Sequence, residues 1–231
     1  MKKLVLFDID GTILLTSGAG GRAIIAATIE EIGETRDLSG IRFDGKTDPQ
    51  IVSELLAAAG HDAPHPSELI SSICRRYVEL LAVELERPTT RTSVMPGIPP
   101  LLERLEVETG VVLGLLTGNL ARGAALKLRS GGLDPARFRV GAYGSDASDR
   151  RELPPIATRR AAEYFGRVPS GAEVVIIGDT PADVACGECI NARAVAGATG
   201  GYSLSDLSAC RPHAAFQDLS DTDRVIDAIL G

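Results

Sequence analysis

An α/β fold, a parallel sheet with a helical subdomain inserted after its first strand, is predicted by three observations. Continuous apolar runs rich in β-branched residues recur at residues 4–7, 111–116, 174–177 and, more weakly, 192–196. Segments of helical periodicity, such as 122–129 and 156–165, lie between the later runs. From Thr16 to Arg91 the pattern changes to three helical stretches, 22–32, 49–59 and 67–86, with no strand among them. Strands that are apolar throughout belong to sheets covered on both faces, and their alternation with helices makes the sheet parallel.

Each element carries its own signals. The first run ends in Asp8-Ile9-Asp10-Gly11-Thr12. Asp48-Pro49 reads as an N-cap followed by Pro at the first helical position. The Pro- and Gly-containing stretch 95–100 closes the helical region, so residues 1–15 and 92–231 are predicted to form the core and 16–91 the insertion. The second strand ends in Thr117-Gly118-Asn119; Lys127, on the helix after it, reads as a solvated or snorkelling lysine. Arg150 and Arg151 precede a helix opened by Pro154-Pro155, with Pro155 as its start. A later strand ends in Gly178-Asp179-Thr180-Pro181-Ala182-Asp183. His61 and His65 are four apart, but Pro64 and Pro66 make them loop residues rather than a ligand pair. No internal repeat or low-complexity tract interrupts the chain.

Composition narrows the function. The net charge of −7 and an aromatic content of 4% with no Trp argue against nucleic acid as a partner. No apolar run approaches a membrane span, and the run after Lys2 and Lys3 is too short for a signal peptide, so no membrane is expected and the cytoplasm is the default compartment. Four cysteines, Cys74, Cys186, Cys189 and Cys210, are too few for a disulfide framework in a chain of 231 residues. Cys186-Gly-Glu-Cys189 has no second pair to complete a zinc site, and its thiols are expected to be free and buried within a helix.

Ligands of open parallel sheets bind beyond the carboxyl ends of the strands. Asp8, Asp10, Thr117, Arg150, Asp179 and Asp183 are all expected at that edge. Carboxylates crowded together are costly unless a cation holds them, and an all-oxygen donor set suits Mg²⁺. Asp183 has a second reading as the third helical residue of a box capped by Thr180, and both readings can hold at once.

On these residues the chain resembles the haloacid dehalogenase superfamily, over nearly its whole length. The first motif, DxDGT, matches Asp8-Ile9-Asp10-Gly11-Thr12. The second, an apolar strand ending in Thr or Ser, matches Leu115-Leu116-Thr117. The fourth, GDxxxD, matches Gly178-Asp179 and Asp183. The resemblance implies a Rossmann-like core with a helical cap and Mg²⁺-dependent hydrolysis of a small phosphorylated metabolite. Asp8 is then the nucleophile and Asp10 the general acid and base. Asp8, Asp10 through its carbonyl, Asp179 and Asp183 are the metal ligands. Thr117, with Gly11, Thr12, Gly118 and Asn119 beside it, meets the phosphoryl oxygens. The superfamily's dehalogenases lack the second aspartate, so Asp10 points to phosphoryl transfer.

The chain departs from the family at the third motif, usually a lysine. Its only lysines are Lys2, Lys3, Lys46 and Lys127, and Arg150 is expected to take the role, with Arg151 as a solvated neighbour or a partner of Glu152. Within the insertion, the loop Asp44-Gly45-Lys46-Thr47-Asp48 resembles the substrate loop of phosphoglycolate phosphatase and β-phosphoglucomutase relatives, with Gly45, Lys46 and Thr47 as its substrate-binding residues. The resemblance implies a phosphoglycolate-phosphatase-like hydrolase, with a β-phosphoglucomutase-like phosphomutase as the alternative. It does not set the oligomeric state.

Overall fold

The computed structural model describes residues 2–33, 38 and 40–231. Six strands form one sheet: β1 (Lys3–Phe7), β4 (Val111–Thr117), β5 (Val140–Tyr143), β6 (Val174–Gly178), β7 (Arg193–Gly197) and β8 (Ala214–Phe216). Their order is β5-β4-β1-β6-β7-β8, and every pairing is parallel. β1 lies at the centre, with Phe7 in register with Leu115 on one side and Ile177 on the other.

The apolar run of β1 divides between two cores. Val5 and Phe7 join a cluster with α4 (Ile98–Val107) and α9 (Thr222–Leu230). Leu4 and Leu6 point the other way, into a cluster with α6 (Leu153–Phe165) and Cys186 at the end of α7 (Pro181–Cys186). Successive strand residues face opposite sides, so a strand covered on both faces is apolar at every position. Two further helices, α5 (Ala121–Ser130) and α8 (Leu204–Ala209), complete the layers.

The first three helices build a separate core. α1 (Ala19–Ile32), α2 (Asp48–Ala58) and α3 (Ser67–Glu86) pack around Ile24, Val52, Leu55, Tyr77 and Leu81. A short antiparallel ribbon of β2 (Leu14–Leu15) and β3 (Ser93–Val94) carries the chain out to this helical unit and back.

Several local expectations are corrected. The N-cap of α2 is Thr47, whose hydroxyl accepts from Gln50 N; Asp48 is already inside the helix and Pro49 follows it. α6 starts at Leu153, two residues before Pro155, and Arg150–Glu152 form a 3₁₀ turn ahead of it. α7 ends at Cys186, so Cys189 lies in the turn beyond it. Cys74 and Cys186 are buried free thiols, whereas Cys189 and Cys210 are exposed. Strands β5 and β8, outside the apolar runs noted in the sequence, are short and flank the sheet.

Candidate active site

The carboxyl ends of β1, β4 and β6 meet at one edge, and the helical unit closes over it. A cavity of about 270 Å³ lies between them, lined by Asp8, Asp10, Thr117, Arg150 and Asp179 from below and by Lys46, Asp48 and Tyr77 from above.

Asp8 leaves β1 with its carboxylate buried. Burial pushes its pKa up, the nearby Asp183 and Asp10 charges add to that, and the Arg150 guanidinium and Thr117 hydroxyl oppose it. After Asp8 the chain folds into a tight turn in which the amides of Thr12, Ile13 and Leu14 all donate to Ile9 O. Gly11 makes that turn at φ +85°. The turn leaves the Asp10 carboxylate 41% exposed toward the cavity. Asn119 Nδ2 and Lys127 Nζ both donate to Asp10 Oδ2, at 2.8 and 2.6 Å. Asn119 Nδ2 also donates to Thr117 Oγ1 at 2.8 Å, which ties the end of β4 to the turn.

Asp179 follows β6. Thr12 Oγ1 donates to its Oδ1 at 2.7 Å. A Cβ on either Gly11 or Gly200 would collide with its carboxylate, so both positions must be bare for it to sit there. Its pKa is pushed well up, first by burial and then by Asp183 and Asp8. Asp183 caps α7 in a box with Thr180, accepting from Thr180 N at 3.0 Å and Thr180 Oγ1 at 2.7 Å through Oδ2. Its other oxygen forms an ion pair with Arg150 Nη2.

Arg150 is buried and its Nη2 also stands 3.3 Å from Asp8 Oδ1. Arg151 points out, 81% exposed, and pairs with Asp149 rather than Glu152. The turn sends one guanidinium inward and the next outward. Two buried polar atoms of cavity residues, Arg150 Nε and Asn119 Oδ1, have no hydrogen-bond partner among the described residues. Such atoms are rare in folded proteins and point to a missing ligand or water.

Carboxylate oxygens of Asp8, Asp179 and Asp183 lie within 4.8 Å of one another. Three buried anions this close repel, and the raised pKa values of Asp8 and Asp179 are that repulsion and burial expressed as proton affinity. An oxygen-only cluster fits a hard divalent cation such as Mg²⁺.

The helical unit docks through residues 44–48. Asp48 N donates to Gly118 O at 2.8 Å, Leu120 N donates to Asp48 Oδ2 at 2.7 Å, and Thr47 Oγ1 donates to Ser148 O at 2.6 Å. A Cβ on Gly118 would run into the backbone of Lys46, so this glycine sets the approach of the loop. Gly45 and Lys46 reach the cavity; Thr47 instead serves as cap and docking contact.

Sequence reasoning missed four neighbours of the site. Lys127 is not solvated: its side chain is 5% exposed and its ammonium is spent on Asp10. Asp48 is buried, with its pKa raised to about 6 by desolvation against the pull of Lys127. Tyr77 lies on α3, and Gly200 follows β7 by three residues. Asp48 stands out in the sequence only as a cap and loop residue, and Lys127, Tyr77 and Gly200 belong to no local motif; a helical period would have placed Tyr77 on the buried face of α3, but not over the cavity.

A family profile for haloacid dehalogenase-like hydrolases matches residues 2–191. The chain belongs to this family. No curated protein sequence matches it. Among solved structures, a hydrolase from Pseudomonas syringae is 20% identical with a TM-score of 0.71, covering 99% of each chain. CbbY from Rhodobacter sphaeroides, in complex with phosphate, is 18% identical with a TM-score of 0.72, covering 96% of each. A protein from Haemophilus somnus 129PT described as a predicted phosphoglycolate phosphatase is 17% identical with a TM-score of 0.71, covering 97% of this chain and 98% of that one. At these identities the likeness establishes the shared fold. Among the described residues, no helix of this family member is long and apolar enough to cross a membrane.

Proposed function

We propose that the protein hydrolyses a small phosphomonoester through an aspartyl-phosphate on Asp8. One observation carries the reading. A buried carboxylate at the central strand end stands beside a buried arginine that has a donor to spare, and across from a second carboxylate held by two donors. A merely anion-binding site gains nothing from two carboxylates beside the anion; a nucleophile and an acid-base partner account for both.

Asp8 attacks phosphorus and the ester P–O bond breaks. Asp10 is the general acid and gives a proton to the departing oxygen. Asp10 then takes a proton from water as that water attacks phosphorus, the bond to Asp8 breaks, and phosphate leaves with Asp8 restored. Asn119 and Lys127 fix one oxygen of Asp10, leaving the other to face the leaving group. Arg150, the third-motif cation in this reading, offsets the charge of Asp8 and the phosphoryl group. Thr117 and the amides after it hold the phosphoryl oxygens.

The family's use of Mg²⁺ fits the donor set. Asp8, Asp179 and the Asp10 carbonyl would hold the ion, while Asp183 supports it by anchoring Arg150 and α7. Bound there, Mg²⁺ supplies positive charge against the phosphoryl oxygens. Residues 16–91 act as a cap that shuts water out. Four free cysteines fit a reducing compartment such as the cytoplasm.

The test is Asp8→Asn with Mg²⁺ and a panel of phosphate esters, following release of inorganic phosphate. The variant should fold as the wild type does by circular dichroism and lose turnover by more than about a thousandfold, as loss of a covalent nucleophile does. Wild-type-like turnover by the folded variant refutes the covalent route. Phosphate release without an added bisphosphate activator separates hydrolysis from a phosphomutase, which passes the group to a sugar hydroxyl.

A further inference from the structure

The wall of the cavity that faces the departing group is made by the helical unit. Its apolar part comes from Ile24, Phe43, Ile51 and Tyr77. Three cationic side chains line the cavity among the described residues: Arg150, Lys127 and Lys46. Arg150 sits at the phosphoryl end between Asp8 and Asp183. Lys127 is held by Asp10 at 2.6 Å. Lys46 donates to Arg42 O at 2.8 Å and forms an ion pair with Glu54, two turns along α2. Gln50 Nε2 donates to the other Glu54 oxygen at 3.2 Å, which steadies the pair. Both ammonium groups on the leaving-group side therefore already face a carboxylate. Asp44 and Asp48 bring further carboxylates to the same wall.

An ester whose leaving group carries a carboxylate or a second phosphate calls for an unmatched cation, because an unpaired charge in a partly closed cavity lined by carboxylates is disfavoured. This wall offers none. A leaving group without charge meets apolar surface and hydrogen-bond acceptors instead.

Resting on the hydrolase reading above, we infer that the site selects small phosphate esters whose leaving group is uncharged, and that Glu54 sets this selectivity by neutralising Lys46. Glu54 acts through Lys46 and is a positioning residue. A phosphoglycolate-like substrate is the kind it turns away.

Phosphoglycolate and phosphoglycolamide differ only in a carboxylate against an amide of the same shape. Wild-type protein with Mg²⁺ should show kcat/KM at least about tenfold higher for the amide, equivalent to ~1.4 kcal/mol. Glu54→Gln keeps the shape of the pair and releases the ammonium. It should shrink the amide preference by about tenfold, through a lower KM for phosphoglycolate with kcat little changed. Adding Lys46→Met to Glu54→Gln should remove that gain. A wild-type protein that hydrolyses phosphoglycolate as well as the amide overturns the inference. An unchanged preference in Glu54→Gln, or a gain that survives Lys46→Met, overturns the role of Glu54. Failure to release phosphate from either ester and from acetyl phosphate overturns the hydrolase reading instead.

Discussion

The two walls of the cavity carry their charges differently. On the strand-end wall, Asp8, Asp179 and Asp183 crowd within 4.8 Å and an arginine donor goes unused. On the helical wall, Lys46 has Glu54, and beside it Lys127, from α5 of the core, is held by Asp10. The strand-end wall is electrostatically unfinished and needs a cation and an anion to complete it. The helical wall is finished as it stands. Unsatisfied groups mark where chemistry is expected, and satisfied ones mark where shape and exclusion decide what enters.

Arg150→Ala is the largest test of the unfinished wall in this comparison. It leaves Asp8 and the phosphoryl group without their nearest side-chain cation and also unpairs Asp183. The loss in kcat under saturating Mg²⁺ is expected to be about a hundredfold, ~3 kcal/mol in the transition state. Arg150→Lys should recover part of it, supplying charge without the fork. Arg151→Ala should stay within about twofold, as for other exposed ion pairs. A crippled Arg151→Ala beside a normal Arg150→Ala would reverse the assignment.

How much of this was legible follows the same division. Asp8, Asp10, Thr117 and Asp179 end apolar runs, and a parallel sheet gathers strand ends, so one-dimensional pattern sufficed to bring them together. Arg150 was legible only as one of two neighbours, because the choice depends on the 3₁₀ turn at Arg150–Glu152, which no local signal in the sequence announces. Lys127 was misread. It sits on α5 beside Leu126 and Leu128, and nothing local says that its ammonium meets a carboxylate 117 residues earlier. Glu54 and Asp48 look like ordinary acids of an amphipathic helix until the fold shows what they face. β5 and β8 escaped because Val140–Tyr143 mixes Gly and Tyr into a short run and Ala214–Phe216 has only three residues.

Removing or adding the metal sharpens the comparison without an assay of turnover. If buried repulsion among Asp8, Asp179 and Asp183 awaits a cation, Mg²⁺ should raise the melting temperature. At a hundred times its Kd, the gain is ~2.7 kcal/mol, or about 5–10 °C for a chain of this size. Asp179→Asn should melt higher than wild type without metal, since burial and its acidic neighbours no longer oblige the folded state to take up a proton there, and should lose most of the Mg²⁺ response. An equal Mg²⁺ shift in the variant would take Asp179 out of the metal site.

The smallest expected effect tests the finished wall, at Asp48. Burial raises the pKa of this carboxyl from an ordinary value of 3.8 to about 6, although Lys127 and the Leu120 amide favour its charged form. The folded state therefore holds a proton between about pH 4 and 6 that the unfolded chain has already released. Stability falls as pH rises through that window, because the folded state binds more protons there, and the loss is complete and constant above it. Asp48→Asn keeps an oxygen to accept from Leu120 N and abolishes this dependence. The pull of Lys127 is already contained in that pKa, but the new amide also brings an N–H₂ that must be satisfied in the buried site, so the net gain above pH 6 should be only about 1 kcal/mol, ~2–4 °C in melting temperature. The measurement is the difference in melting temperature between variant and wild type across pH 4 to 8. It should grow from pH 4 to 6 and then level off. A difference that is flat, or that favours the wild type more as pH rises, would mean that Asp48 is held charged by the wall, and that Lys127 matches it as well as Asp10.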